Sequence, residues 1–257
     1  MEEKKQKMSE VPKESYVIAL DFESRGGITP LHGFLQLGAC LLDMNTGNVL
    51  ATFNEFANQE SYVPEERCMR EFWDKHKDVY DFILGECEKS AFTPHDVVDH
   101  FIEWIQSFGD KLAHTVLISD NVSFDVAILR VFSLKQDIGY LIDKSCYGRI
   151  LDVSDYYKGY SRQVVDAVFM DSKFSKKVIA EILEMEVPTF SAAKHDHMAH
   201  HDAQVIALRW HAYMCAVQTR IKQEEEARKK AEEEKEARKK AEEEKEVRAS
   251  VPVHQDI

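Results

Sequence analysis

An apolar run that ends on acid limits what this chain can become. Tyr16-Val-Ile-Ala-Leu-Asp21-Phe22 is short, apolar and partly β-branched, as buried strands are, and Glu23 follows it directly. Residues i and i+2 of a strand face the same side, so Asp21 and Glu23 present two carboxylates together. Like charges so placed repel, and burying them is unfavourable unless a cation neutralises them. Hard divalent cations with oxygen ligands are the natural guests. Taken alone, the pair also reads as two solvated carboxylates at a strand end.

The surrounding pattern predicts an α/β domain. Phe34–Leu42 and Val49–Phe53 read as two further strands, and Asn45-Thr-Gly47 supplies a hairpin turn between them. Thr93 is placed to cap a helix, with Pro94 at its first position and Asp96 in its first turn. Val97, Phe101, Trp104, Ile105 and Phe108 then recur at helical spacing, and Gly109 is placed to stop the helix. His114–Ser119 reads as a fourth strand. Phe124–Leu134 and Ser175–Leu183 read as helices, and a last folded helix is expected to start near His201. Strands first, then helices with a strand between them, fit the α/β class.

Two more acidic motifs follow the first. Asp120-Asn121-Val-Ser-Phe124-Asp125 comes just after the strand ending at Ser119. Asp125 falls in the first turn of the next helix, where the helix dipole favours negative charge, so a capping role is equally readable. The third motif is His197-Met-Ala-His-His-Asp202. On one helix His197 and Asp202 would lie about 140° apart, at about 100° per residue. They converge better if His197 lies on the approach loop and Asp202 in the first helical turn. An imidazole with an ordinary pKa of about 6.5 suits a general base near neutral pH. His195, His200 and His201 read as exposed loop histidines, because no spacing among them selects a zinc ligand set.

The three motifs together, in this order, resemble the DEDDh branch of the 3′→5′ exonucleases, a group with the ribonuclease-H-like fold. The resemblance spans about residues 15–215. It implies a mixed five-stranded sheet flanked by helices. It implies that Asp21, Glu23, Asp125 and Asp202 are the metal-site carboxylates and His197 the catalytic histidine. Two Mg²⁺ or Mn²⁺ ions would flank the scissile phosphate, and nucleoside 5′-monophosphates would leave the 3′ ends of single-stranded RNA or DNA. Ser24, Asn121 and Phe124 would meet the last nucleotide, with core packing as the other reading of Phe124. Met69–Trp73 resembles a Trp-containing helix of some compact members, which makes Trp73 a candidate for base stacking, with core packing as the other reading of an aromatic on a predicted helix. The chain departs from the family at Ser24, where Thr is common, at Asp120, where His is frequent, and at Gln36, where an acidic residue is common.

Two other readings compete. His201-Asp202 is an HD dipeptide, as in helical HD-type metal phosphohydrolases, but the strand carrying Asp21 and Glu23 argues against a helical domain. A catalytically degenerate binding module of the exonuclease fold is the second.

Composition narrows the setting. The 257 residues carry 33 basic and 46 acidic side chains, a net charge of −13. That argues against coating long duplexes by phosphate neutralisation and predicts weak, distributive binding of single-stranded ends. Arg25, Arg149, Lys173, Lys176 and Lys177 are candidate strand contacts. The five cysteines are scattered without a CxxC pair, which predicts a reduced, intracellular setting, cytoplasmic or nuclear. No run approaches the roughly 18 apolar residues of a membrane helix. Residues 1–14 and 249–257 read as disordered, 15–221 as the folded domain and 222–248 as a charged helical tail. Those 27 residues hold ten basic and eleven acidic side chains. Pairs such as Glu226–Lys230 and Glu236–Lys240 support a helix by about 0.2–0.5 kcal/mol each. No apolar heptad seam is present, so the tail reads as a spacer or a protein-partner segment, with a frayed solubilising tail as its alternative. Oligomeric state is open.

Overall fold

In the computed structural model of the chain, residues 15–27, 31–133, 150–153 and 196–250 are described. Five strands form one mixed sheet in the order β3-β2-β1-β4-β5. They are β1 Tyr16–Glu23, β2 Gln36–Asp43, β3 Val49–Phe56, β4 Thr115–Ser119 and β5 Ile150–Asp152. β1 and β2 pair antiparallel, as do β2 and β3, whereas β4 runs parallel to β1 and β5 parallel to β4. The hairpin closes at the expected turn: Gly47 adopts a φ of +72°, and its N–H donates to the Asp43 carbonyl at 2.8 Å.

The helices are α1 Glu66–Glu71, α2 Lys77–Lys89, α3 Pro94–Gln106, α4 Val122–Phe132 and α5 Ala199–Ser250. Helix α2 adds to the elements expected above, and α1 covers the start of the expected Met69–Trp73 helix, with Trp73 in a following 3-10 turn. The predicted helix Ser175–Leu183 lies outside the described residues. Thr93 caps α3 through a reciprocal capping box: its N–H donates to Asp96 at 2.9 Å and its hydroxyl accepts the Asp96 N–H at 3.3 Å. That helix ends at Gln106, short of the expected stop, and Gly109, at φ +56°, opens a 3-10 segment over Gly109–His114. Among the described residues no helix is long and apolar enough to cross a membrane.

Strand alternation divides the core. Ile18, Leu20 and Phe22 of β1 and Leu37, Ala39 and Leu41 of β2 pack against Phe101 and Ile105 of α3 and Leu129 and Phe132 of α4. Asp21, Glu23, Gln36 and Gly38 alternate to the other face, where the first turns of α5 lie. The stripe Ala199, Ala203, Ile206, Ala207 and Trp210 is buried there at helical spacing. Gly38 is the point of closest approach. A Cβ at Gly38 would overlap the backbone of Ala199 and His200. Gln36, fully buried, accepts the Ala199 N–H through Oε1 at 3.0 Å and donates to Asn54 Oδ1 at 2.7 Å.

The chain divides into two compact units, Met1–Tyr213 and Met214–Ile257. The second contains the charged repeat, where Arg228 pairs with Glu232 at 3.4 Å and Lys240 with Glu236 at 4.0 Å.

Gly38→Ala is expected to destabilise the protein by about 3 kcal/mol, because backbone atoms rather than a flexible side chain oppose the new methyl. Gly85→Ala, in the interior of α2 with no atom near the added Cβ, is expected to stabilise by roughly 1 kcal/mol. Urea denaturation of both variants measures the contrast.

Candidate active site

Three backbone features converge on one end of the sheet. β1 and β4 are parallel, so their carboxyl ends lie together, and α4 leaves from the end of β4. Gly38, opposite Asp21 in the β1–β2 register, admits the start of α5 at the same place. The result is a cleft of about 700 Å³ lined by Asp21, Glu23, Asp120, Asp125, His197 and Asp202, among others. Glu23, Asp125 and Asp202 are almost wholly buried, at 7%, 1% and 3% exposure.

The acidic groups fall into two sets. Glu23, His197 and Asp202 each bring a ligand-type atom within 4.8 Å of the others, and Asp21, Asp120 and Asp125 do the same. Adjacent same-face positions of β1 thus feed different sets. Asp125 accepts the Ser119 hydroxyl, and the Ser119 oxygen in turn accepts the Asn121 N–H at 3.0 Å. Asp202 Oδ1 accepts the Asp196 N–H at 3.1 Å, which ties the approach loop to the first turn of α5. His197 lies on that loop, just before Ala199, with φ at +60°. This left-handed conformation costs on the order of 1 kcal/mol for a residue with a Cβ.

Crowding the carboxylates has an electrostatic consequence. Burial is the largest cause pushing the Asp21 carboxyl well above the usual carboxylate range, and Asp125, Glu23, Asp120 and Asp202 add to it. Glu23 is raised likewise, by burial and then by Asp202, Asp125, Asp196 and Asp120. Asp125 is raised by burial; the Ser119 hydroxyl pulls it down, and Asp120 and Asp152 push it up. All of these donors are hard oxygen atoms apart from one imidazole. Such a set fits Mg²⁺ or Mn²⁺, whose charge would relieve the repulsion. Among the described residues, seven carboxylate side chains line the cleft against one guanidinium, Arg67, which pairs with Glu71 at 3.0 Å. A phosphodiester would be repelled there without cations.

The remaining sequence candidates divide. Asn121 and Phe124 line the cleft, with Phe124 also packed on the core. Ser24 lines it too, but its hydroxyl donates to the Gly26 and Gly33 carbonyls at 3.0 and 3.1 Å and so serves the loop. Trp73 does not reach a base: it is 1% exposed, and its indole N–H donates to the Ser24 carbonyl at 2.8 Å. It is a core anchor, because its ring packs with Leu35, Ile83 and Cys87. Arg25 is likewise internal. Its guanidinium donates to the Tyr62 carbonyl at 2.7 Å and is 7% exposed, so it clamps a loop instead of tracking a strand. Arg149, Lys173, Lys176, Lys177 and His195 lie outside the described residues. His200 and His201 stand on α5 and not on a loop; His201 Nδ1 lies 2.8 Å from Asp196. The mixed sheet also excludes the helical HD-type fold.

Asp120, which opens the second acidic motif, joins the set of Asp21 and Asp125 although the resemblance does not name it. Its signal was its place directly after an apolar strand, the same syntax that drew attention to Asp21.

No family model matches the chain, and no curated protein sequence matches it. Solved structures do. Cell-death related nuclease 4 (CRN-4) is similar with a TM-score of 0.55 at 11% identity, over 80% of this chain and 65% of that one. This chain therefore spans slightly less than two thirds of that protein. A full-length 3′-exonuclease is similar with a TM-score of 0.55 at 15% identity, over 79% of this chain and 83% of that one. The nuclease domain of 3′hExo, a DEDDh family member solved with rAMP bound, follows with a TM-score of 0.50 at 13% identity, over 79% and 93%. The fold is thus the ribonuclease-H-like fold of the 3′-exonucleases.

The raised carboxyls bind protons more tightly in the fold than in the unfolded chain. Their contribution to stability in the metal-free protein is fully present below the ordinary carboxylate pKa of about 4 and is lost as pH rises toward the raised values. In EDTA, the melting temperature is therefore expected to fall between about pH 5 and about pH 8, and less steeply in Asp125→Asn. At the alkaline end of that range the variant should melt above the wild type. Mn²⁺ should raise the wild-type melting temperature and raise the variant's less. Thermal denaturation followed by circular dichroism reads both effects.

Proposed function

We propose that this chain is a metal-dependent 3′→5′ exonuclease that releases nucleoside 5′-monophosphates from single-stranded RNA or DNA. The observation that carries this reading is the pair of donor sets that share β1, with Asp21 in one and Glu23 in the other. The similarity of the fold to solved 3′-exonucleases, one of them bound to rAMP, supports it.

Asp21 and Asp125 would hold one Mg²⁺ or Mn²⁺, and Glu23 and Asp202 a second. When bound, such ions supply charge for the phosphoryl oxygens and lower the pKa of water to near neutrality. The chain's own residues do the rest. His197 stands beside Glu23 and Asp202, where an imidazole nitrogen accepts the proton of the attacking water. Asn121 and Phe124 at the mouth of the cleft receive the terminal nucleotide. The Phe124 ring offers a face for the base, and Asn121 a polar edge. With one guanidinium among the described residues of the cleft, affinity for the strand rests largely on the divalent ions. Binding is accordingly short-ranged and only shallowly dependent on monovalent salt.

Digestion of 5′-labelled single-stranded RNA and DNA of one sequence tests the reading. With Mn²⁺ the wild type is expected to yield a ladder shortening from the 3′ end. EDTA or Asp21→Ala should abolish it. His197→Ala should keep the fold and the Mn²⁺-induced stabilisation but lose about 10²–10⁴ in rate. No ladder from a wild type that binds Mn²⁺ would favour a binding module of the same fold.

A further inference from the structure

One segment outside the acidic sets meets the catalytic-histidine candidate with two rings. Phe72 closes α1, and Trp73–Lys75 form a single 3-10 turn that leads to His76. The Phe72 and His197 rings stand edge to face, with centroids 5.0 Å apart and planes at 84°. The His76 ring lies closer, 4.2 Å from His197 at 60°. Phe72 and His76 also contact each other at 5.0 Å. Edge-on and tilted contacts at these separations are the favoured arrangements of aromatic rings.

The segment is itself held. Trp73 sits between Phe72 and His76 and is bonded to the carbonyl of Ser24, directly after Glu23. Met198, next to His197, packs on the same small core as Trp73 and Phe72. The loop bearing His197 is thereby referenced to the end of β1 through one buried indole. That matters because His197 holds a left-handed backbone conformation, which only surrounding contacts maintain.

We infer that Phe72 and His76 are positioning residues, which form an aromatic shelf that sets the His197 imidazole against Glu23 and Asp202. The inference rests on the exonuclease reading for what the imidazole does, but not for the contact itself. A small displacement of a reacting group costs rate out of proportion to its length, so the shelf acts on turnover more than on binding.

His76→Ala is expected to lower kcat on a 5′-labelled oligonucleotide by about tenfold to about a hundredfold. KM and the Mn²⁺-induced rise in melting temperature should stay within about twofold. His76→Phe, which keeps a ring, should remain within about threefold of the wild type. In a His197→Ala background, His76→Ala should add nothing, since two groups acting as one unit are not additive. Full additivity, or a His76→Phe variant as impaired as His76→Ala, overturns the inference. The His197 ring Hε1 resonance, read by NMR in the metal-free protein, tests the contact without turnover. It should move in both His76→Ala and Phe72→Leu, and an unmoved resonance overturns the shelf. A wild type that hydrolyses nothing yet shows that movement refutes the exonuclease reading and upholds the contact.

Discussion

The structure depends on how closely the start of α5 approaches β2. Gly38 has no Cβ, and the backbone of Ala199 and His200 occupies the space a side chain would take. Gln36, two residues earlier on the same face, captures the Ala199 N–H at 3.0 Å, one of the orphan donors at a helix start. These two residues bring Asp202 and its approach loop to the end of β1. Without that approach Glu23 would not meet His197 and Asp202.

That approach is costly in charge. Asp21, Glu23 and Asp125 are each pushed toward the neutral form, with burial the leading cause and neighbouring acids adding to it. Most folds would replace such a cluster, because buried like charges destabilise. A site that works through divalent cations keeps it, since the bound ions convert the repulsion into attraction. The large apolar sheet core, continuous with α3 and α4, supplies the stability against which the cluster is set. The rigid strand end also places Asp21 in one donor set and Glu23 in the other.

Much was legible from local physics. The DxE syntax, the hairpin at Gly47 and the Thr93 cap depend on residues close in sequence, and each forms where its spacing indicates. Placing His197 before the helix and Asp202 in its first turn followed from helical geometry, and both stand so. For Trp73 the core reading holds and base stacking does not, and Arg25 is no strand contact, for one reason. An aromatic and a cation near acidic motifs look like substrate contacts, yet burial is a property of the whole packing. Here the indole and the guanidinium both satisfy loop carbonyls inside the protein. Asp120 was underrated because its partners, Asp21 and Asp125, come from a different strand and from the helix ahead.

By itself the sequence determined the alternation that puts Asp21 and Glu23 on one face, the α/β class with its first four strands and the start of α3. These are consequences of backbone geometry over a few residues. Only the tertiary structure decided that the carboxylates divide into two sets, that Asp120 joins one of them, and that Phe72 and His76 meet His197. Such contacts join residues scores of positions apart. Their geometry is set by sheet register, by a glycine that yields its volume and by the packing of one indole, none of which a linear pattern encodes.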